Sequence, residues 1–216
     1  MAKKKQVGVV SEPALRRLPW YLAYVKLLQD KGEAVVSSTQ IARSTGVEAA
    51  LVAKDLSYVN IVGKTRVGYD VQNMVQVLEE FLGFNTEHEA YLFGVGNLGA
   101  ALLQDKGLAL YGMNIIGGFD ISEEVCGKEI GGTKVWHLSH LPEAMESNPV
   151  LIGILTVPVD KAQEVTDMMV EAGIKTIWNF TPFRIIVPKG VVVQNTSIYS
   201  HLAVMFHRME MTLGRS

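Results

Sequence analysis

Ala90-Tyr91-Leu92-Phe93-Gly94-Val95-Gly96-Asn97-Leu98-Gly99-Ala100-Ala101-Leu102-Leu103 is the stretch that decides the fold. Four apolar residues predict a short buried strand, and the last four residues open a helix. Between them stands G-x-G-x-x-G, the spacing of a dinucleotide-binding turn when a strand precedes it and a helix follows. Gly94 permits the tight turn, Gly96 lets a pyrophosphate approach the backbone, and Gly99 lets helix and strand pack closely. The helix N-terminus offers free N–H groups and a positive dipole end to phosphates. The competing reading is a glycine-rich turn in a sheet protein that binds no nucleotide.

Downstream, residues 114–119 predict a second strand that ends at Asp120, 26 residues past Gly94. An acidic residue there accepts hydrogen bonds from an adenosine ribose, which favours NAD over NADP; the usual offset is ~20 residues. The excess fits an extra loop around 107–112. Alternation continues with a strand at 134–136, a helix at 141–145, a buried strand at 150–157, a helix at 160–172 and a strand at 174–178. Two further β segments, 183–187 and 191–194, flank Pro188-Lys189-Gly190. This is an α/β pattern with a parallel, Rossmann-like sheet. Thr156, Val157, Asn179 and Phe180 fall at strand ends, the edge where such sheets bind ligands. A last helix, 197–213, carries Ile198, Leu202, Met205, Phe206 and Met209 on one stripe, to be covered by its own sheet or a second subunit.

Upstream the pattern changes. Leu15, Leu18, Leu22 and Val25 recur at helical spacing, and Pro19 predicts a helix that starts or bends there. Ser37 with Gln40 three residues on is a capping box. The helix it opens stops at Gly46, and a second runs over 48–58. Small Ala42 between them, with Val47 and Val52 inward, completes a helix-turn-helix pattern; an ordinary helical hairpin is the alternative. Residues 61–70 read as a short hairpin, a wing, followed by a helix over 71–84. Exposed Lys54, Ser57 and Tyr58 on the second helix, Ser37, Ser38, Thr39 and Arg43 around the first, and Lys64 and Arg66 on the wing are the candidate DNA contacts.

Charge divides the same way. Residues 1–70 hold eleven Lys/Arg against six Asp/Glu, a balance of +5; residues 71–216 hold nine against sixteen, −7. The total of −2 hides a basic first third. Of the 216 residues 48% are hydrophobic and 19% charged, which excludes bulk disorder. One cysteine, Cys126, excludes a disulfide framework and a cysteine-cluster metal site. No apolar run is long enough to span a membrane, and the basic start lacks a following apolar region, so neither a membrane nor a secretory signal is expected and the setting is cytoplasmic. Chemistry is scarce. There is no Tyr-x-x-x-Lys pair, His137 and His140 have no evident orienting carboxylate, and Cys126 reads as a plain thiol. We expect no catalytic residues and no metal site. A DNA-binding module fused to a dinucleotide module without catalytic groups suggests a sensor.

The chain resembles Rex, the bacterial transcriptional repressors that respond to the NADH/NAD+ ratio. The matching stretches, in order, begin with Arg17-Leu18-Pro19-Trp20-Tyr21, Val36-Ser37-Ser38 and Lys54-Asp55-Leu56-Ser57-Tyr58. They continue through Gly68-Tyr69-Asp70-Val71, the glycine motif, Phe119-Asp120, Thr156-Val157-Pro158 and Asn179-Phe180. The resemblance implies a winged helix over 1–84, an NAD(H)-binding Rossmann domain over 85–194 and a dimerisation helix over 195–216 swapped between the subunits of a homodimer. It places Gly94, Val95, Gly96, Asn97, Leu98, Gly99, Phe119, Asp120, Thr156, Val157, Asn179 and Phe180 about the cofactor. It further implies a palindromic operator, released when NADH binds. Ala53 replaces a basic residue of the family's recognition helix. Asp105 and Ser197 stand where the family has a Tyr and an Asp; with Arg16 or Arg17 these positions form its redox switch, beside Ile198 and Tyr199 at the dimer helix. Two rivals remain: an NAD-dependent oxidoreductase with an accessory N-terminal domain, and a DNA-binding regulator that answers a CoA-type or other adenine nucleotide.

Overall fold

The computed structural model of the chain describes residues 10–214, so the basic run at 3–5 lies outside the described residues. The chain divides into two compact units, one up to Thr86 and the other from Glu87.

In the first unit α1 (Glu12–Asp30) buries Ala14, Leu18, Tyr21, Leu22, Val25 and Leu28 on one face. The helix neither starts at nor stops at Pro19 but passes through it. Leu15 lies off the buried face, 40% exposed, and Ala14 takes the expected place. Pro19 removes one backbone donor and crowds the preceding turn, a cost of ~3 kcal/mol. Buried side chains on both sides of it, each worth ~1.5–3 kcal/mol, offset that cost. Ser37 opens α2 (Ser38–Thr45) with the expected capping box, and Gly46 closes it in the left-handed region at φ 69°. Helix α3 (Ala49–Tyr58) follows, turning Val52 and Leu56 inward. The wing is less than a hairpin: residues 61–63 form no strand, and a single bridge joins Lys64 to Gly68. Its return arm, β2 (Tyr69–Asp70), pairs instead with β1 (Val35–Val36). Helix α4 (Val71–Leu82), capped by Asp70, completes a core in which Ile41, Val52, Leu56, Met74 and Leu78 are fully buried.

The second unit is a seven-stranded sheet. In chain order its strands are β3 (His88–Phe93), β4 (Met113–Asp120), β5 (Glu129–Ile130), β6 (Thr133–His137), β7 (Ile152–Leu155), β8 (Thr176–Asn179) and β9 (Val192–Asn195). Their spatial order is β5-β6-β4-β3-β7-β8-β9, parallel throughout except for the β5–β6 pair. The chain enters at the centre, winds outward to β6, then returns to β7 and winds the other way. The reversal lies between β3 and β7, which is the topological switch point of a Rossmann fold. Helices α5 (Asn97–Gln104), α6 (Leu141–Ser147) and α7 (Ala162–Glu171) are its long-range connections. Phe119 stacks on Phe93 at 5.3 Å and meets Tyr91 edge-on at 5.2 Å, tying β4 to β3.

Residues 183–187 are not a strand. Prolines at 182 and 188 bracket them, and proline cannot donate to a ladder. The Gln163 side chain completes the backbone bonding there: its amide donates to the Ile186 carbonyl at 2.9 Å and accepts from the Ile186 N–H at 2.9 Å. The last helix, α8 (Ile198–Thr212), has no buried residue. Its stripe stays open to solvent, with Phe206 51% and Met209 52% exposed, so its own sheet does not cover it.

The Ser37 hydroxyl accepts from the Gln40 N–H at 3.2 Å and donates to the Gln40 side chain at 2.9 Å. Ser37→Ala should therefore cost ~1 kcal/mol, read as a lower urea midpoint at unchanged slope.

Candidate functional site

A cavity of about 790 Å³ opens at the switch point. Gly94, Val95, Gly96, Asn97, Phe119, Asp120, Thr156 and Val157 line it, eight of the twelve residues the resemblance places at a cofactor. Leu98, Gly99, Asn179 and Phe180 lie outside the lining.

The glycines divide the work as their spacing implies. Gly94 turns at φ 94°, and a Cβ there would press on Val157 at 2.8 Å. A Cβ on Gly99 would stand 2.1 Å from the Gly94 carbonyl oxygen, so α5 meets β3 only because that atom is missing. Gly96 is the opposite case. Nothing lies within 4 Å of a Cβ built there, so a side chain would enter open space at the cavity wall. No side chain caps α5, which leaves its first N–H groups available beside that cradle.

Asp120 fastens the loop. Its Oδ2 accepts from the Val95 N–H at 2.6 Å, and its Oδ1 accepts from the N–H groups of Ile121 and Ser122 at 2.7 and 2.8 Å. A carboxylate offers about four lone-pair positions, so roughly one remains for a ligand hydroxyl. Thr156 is also committed, its hydroxyl donating to the carbonyls of Phe93 and Gly94 at 3.0 and 2.7 Å across the switch point. Asn179 is fully buried in a knot: it donates to the Phe183 carbonyl and the Asn195 side chain and accepts from Thr181. Phe180 packs on Trp178 at 4.6 Å.

Sequence reasoning missed Glu124, Glu164 and Lys161 in the lining. Glu164 and Lys161 pair at 3.0 Å, and that bond raises the lysine's pKa. Three carboxylates and one cation make the wall acidic. Only the strand order of the sheet reveals this, because Glu124 and Glu164 are 40 residues apart.

Neither candidate histidine lines this cavity. His137 Nδ1 bonds to Ser139 at 2.8 Å. His140 does have a carboxylate beside it, contrary to expectation: Glu143 stands 3.5 Å away, but both are exposed. Cys126 Sγ donates to the Asp120 carbonyl at 3.4 Å, and burial, then the charges of Asp120 and Glu123, push its pKa up, away from the reactive thiolate. Among the described residues no group of three or more His, Cys, Asp or Glu is placed to hold a metal, and no helix is long and apolar enough to cross a membrane.

In the first unit Thr39, Arg43, Lys54, Ser57, Lys64 and Arg66 are exposed, and Ser37, Ser38 and Tyr58 are half-buried. Ser57 donates to the Lys54 carbonyl at 2.6 Å, within its own helix. Arg66 sits at the wing tip with φ 65°, a conformation that costs an L-residue ~1–2 kcal/mol. The four switch candidates each have a partner. Arg16 pairs with Glu12 at 2.7 Å. Arg17 bonds Asp55 twice. Asp105 accepts from the N–H groups of Gly107 and Leu108, and Ser197 caps α8 by accepting from Ser200 N–H. Ile198 and Tyr199 begin that helix, 50% and 64% exposed.

Residues 85–183 match a family model described as a CoA binding domain, and residues 9–57 one described as a putative DNA-binding protein N-terminus. The chain is 60% identical over 201 residues to the redox-sensing transcriptional repressor Rex of Porphyromonas gingivalis, covering 93% of this chain and 92% of that one. It is 56% identical over 200 residues to the Rex of Bacteroides thetaiotaomicron, covering 93% and 91%. Among solved structures it is similar to RSP in complex with beta-NAD+ and operator DNA, with 31% identity and a TM-score of 0.88 over 94% of both chains. It is also similar to RSP in complex with beta-NADH, with 32% identity and a TM-score of 0.84 over 94% and 96%.

The roles of the second and third motif glycines separate in a melting experiment. Gly96→Val, pointing into open space, should leave the midpoint within about 1–2 °C, whereas Gly99→Ala should lower it by more than about 4 °C through forced overpacking.

Proposed function

The chain belongs to the Rex family of redox-sensing transcriptional repressors, and from that membership we propose that it is a homodimeric repressor that reads the NADH/NAD+ ratio and leaves its operator when NADH binds. In this reading residues 1–84 bind a palindromic operator, 85–194 hold the dinucleotide and 195–216 join two copies. The cytoplasm is its place of action, and it turns over no substrate.

The observation that carries the ligand is the cavity at the switch point. Its Gly96 cradle leaves room for a pyrophosphate against backbone N–H groups. The lining carboxylate of Asp120 keeps about one acceptor position for a ribose hydroxyl. The cofactor supplies the redox signal; Gly94, Gly96, Asn97, Phe119, Asp120, Thr156 and Val157 would surround it. The match to a CoA-binding model keeps the adenine-nucleotide rival in view, and charge decides against it. CoA and NADPH each add a phosphate to the ribose, and that dianion would meet Asp120 in a wall that already carries Glu124 and Glu164. NAD(H) leaves both ribose hydroxyls free.

The second copy is supported by α8. An apolar stripe of Ile198, Leu202, Met205, Phe206 and Met209 with no buried member is large for a lone chain. Two-fold symmetry then makes the operator palindromic. For DNA, the exposed Lys54 on α3 and Lys64 and Arg66 on the wing form one basic display.

Calorimetric titration should give heat for NADH and NAD+ below ~100 μM and far weaker signals for NADPH and CoA. Silence with NADH and a clear isotherm with CoA would transfer the reading to the rival ligand. In a gel-shift assay NADH should dissolve the complex with operator DNA. Gly96→Glu should abolish that response while leaving DNA binding in place. Consumption of NADH dependent on an added substrate would revive the oxidoreductase.

A further inference from the structure

The carboxylate of Asp55 is the most buried charge among the described residues of the first unit, 1% exposed, and it is not one of the candidate DNA contacts. It projects from α3 toward α1. Arg17 grips it as a fork, Nε donating to Oδ2 at 2.6 Å and Nη2 to Oδ1 at 2.8 Å. The Tyr21 hydroxyl donates to Oδ2 at 2.8 Å. Burial first, and the neighbouring carboxylate next, push the Tyr21 phenol above its ordinary range, so it stays a donor. The Asp55 hydrogen bond lifts the Arg17 guanidinium further above its own ordinary value.

Little else about α3 is directional. Glu48 at its N-cap makes no side-chain bond to the helix. Val52 and Leu56 hold it by apolar packing, which resists separation far more than it resists rotation or sliding. A bidentate guanidinium–carboxylate pair fixes both distance and angle. Lys54 immediately precedes Asp55 on the helix and is exposed. Any rotation of α3 that moves Asp55 therefore moves Lys54 through the same angle.

We propose that the Arg17–Asp55 fork, seconded by Tyr21, is the positioning contact that sets the rotation of α3 and so aims Lys54 at the operator. The proposal rests on the DNA-reading function above. Arg17 and Asp55 are positioning residues, and Lys54 is the one that touches DNA.

The test is a double-mutant cycle on the full-length protein. Fluorescence anisotropy is measured on a duplex that the wild-type protein selects from a randomised pool, and on a scrambled duplex of equal composition. In the wild-type background Lys54→Ala should weaken selected-duplex binding about tenfold. Arg17→Lys keeps the charge and loses the fork. In that background the same Lys54→Ala change should cost less than about twofold, because the lysine is already misaimed. Arg17→Lys by itself should barely change binding to the scrambled duplex, since it leaves the number of cations near phosphates the same. Equal Lys54→Ala costs in the two backgrounds, or no cost in either, overturn the proposal. Should Arg17→Lys fail to melt cooperatively, Tyr21→Phe carries the cycle, with a smaller coupling expected and additivity again decisive. A wild-type protein that selects no duplex at all defeats the DNA-reading function instead, a separately visible failure.

Discussion

A helix N-terminus can serve an anion only if its first turn is left bare and is held against the strand that feeds it. In this chain both conditions come down to the contact between Gly99 and the Gly94 carbonyl, where a single added carbon would lie 2.1 Å from the oxygen. That approach brings α5 down onto β3 and leaves its uncapped first turn beside the cavity that Gly96 and Asn97 line. The strand order reverses at the same place, so the sheet leaves a crevice there rather than a covered edge. Thr156 then spans the crevice from below, bonding the ends of β7 and β3 together.

Asp120 connects this geometry to selectivity. One carboxylate both fastens the glycine loop and faces the cavity, so the loop's shape and the local negative charge cannot be separated. Glu124 and Glu164 strengthen that charge while Lys161 is held by Glu164. A ligand entering this wall gains from donating hydroxyls and loses with each additional phosphate. Net charge therefore matters twice in this molecule: a basic balance suits a DNA-binding unit, and an acidic cavity wall disfavours a phosphorylated ribose.

What was legible in the sequence was local. Each motif glycine answers a constraint within a few residues of itself, and Ser37 with Gln40 closes its capping box inside one helical turn. The parallel sheet follows from the alternation of strand and helix. What was not legible depends on partners far along the chain. Pro19 reads as a breaker, yet Ala14 and Leu18 before it and Tyr21 and Leu22 after it share one buried face. The apolar run at 183–187 reads as a strand, yet Gln163 completes its backbone bonds from α7. Asp55 reads as one more polar residue on a helix, because its arginine lies 38 residues away. The wing reads as a hairpin, yet its return arm finds β1.

The same distinction between local and distant partners bears on how a bound dinucleotide could act on DNA affinity. Coupling between two sites is typically worth ~1–3 kcal/mol, and any residue that switches partners must do so for less than that. Arg17 cannot. Pulling it from Asp55 strands a carboxylate that is 1% exposed, and breaking such a buried pair costs about 3–5 kcal/mol. Arg16 bonds only Glu12, in a pair whose side chains are 60% and 71% exposed. Pairs of that kind are worth ~0–1 kcal/mol, so Arg16 can change partner within the coupling range. Of the two arginines on α1, one is thus built to hold the DNA-reading helix still and the other is free to move.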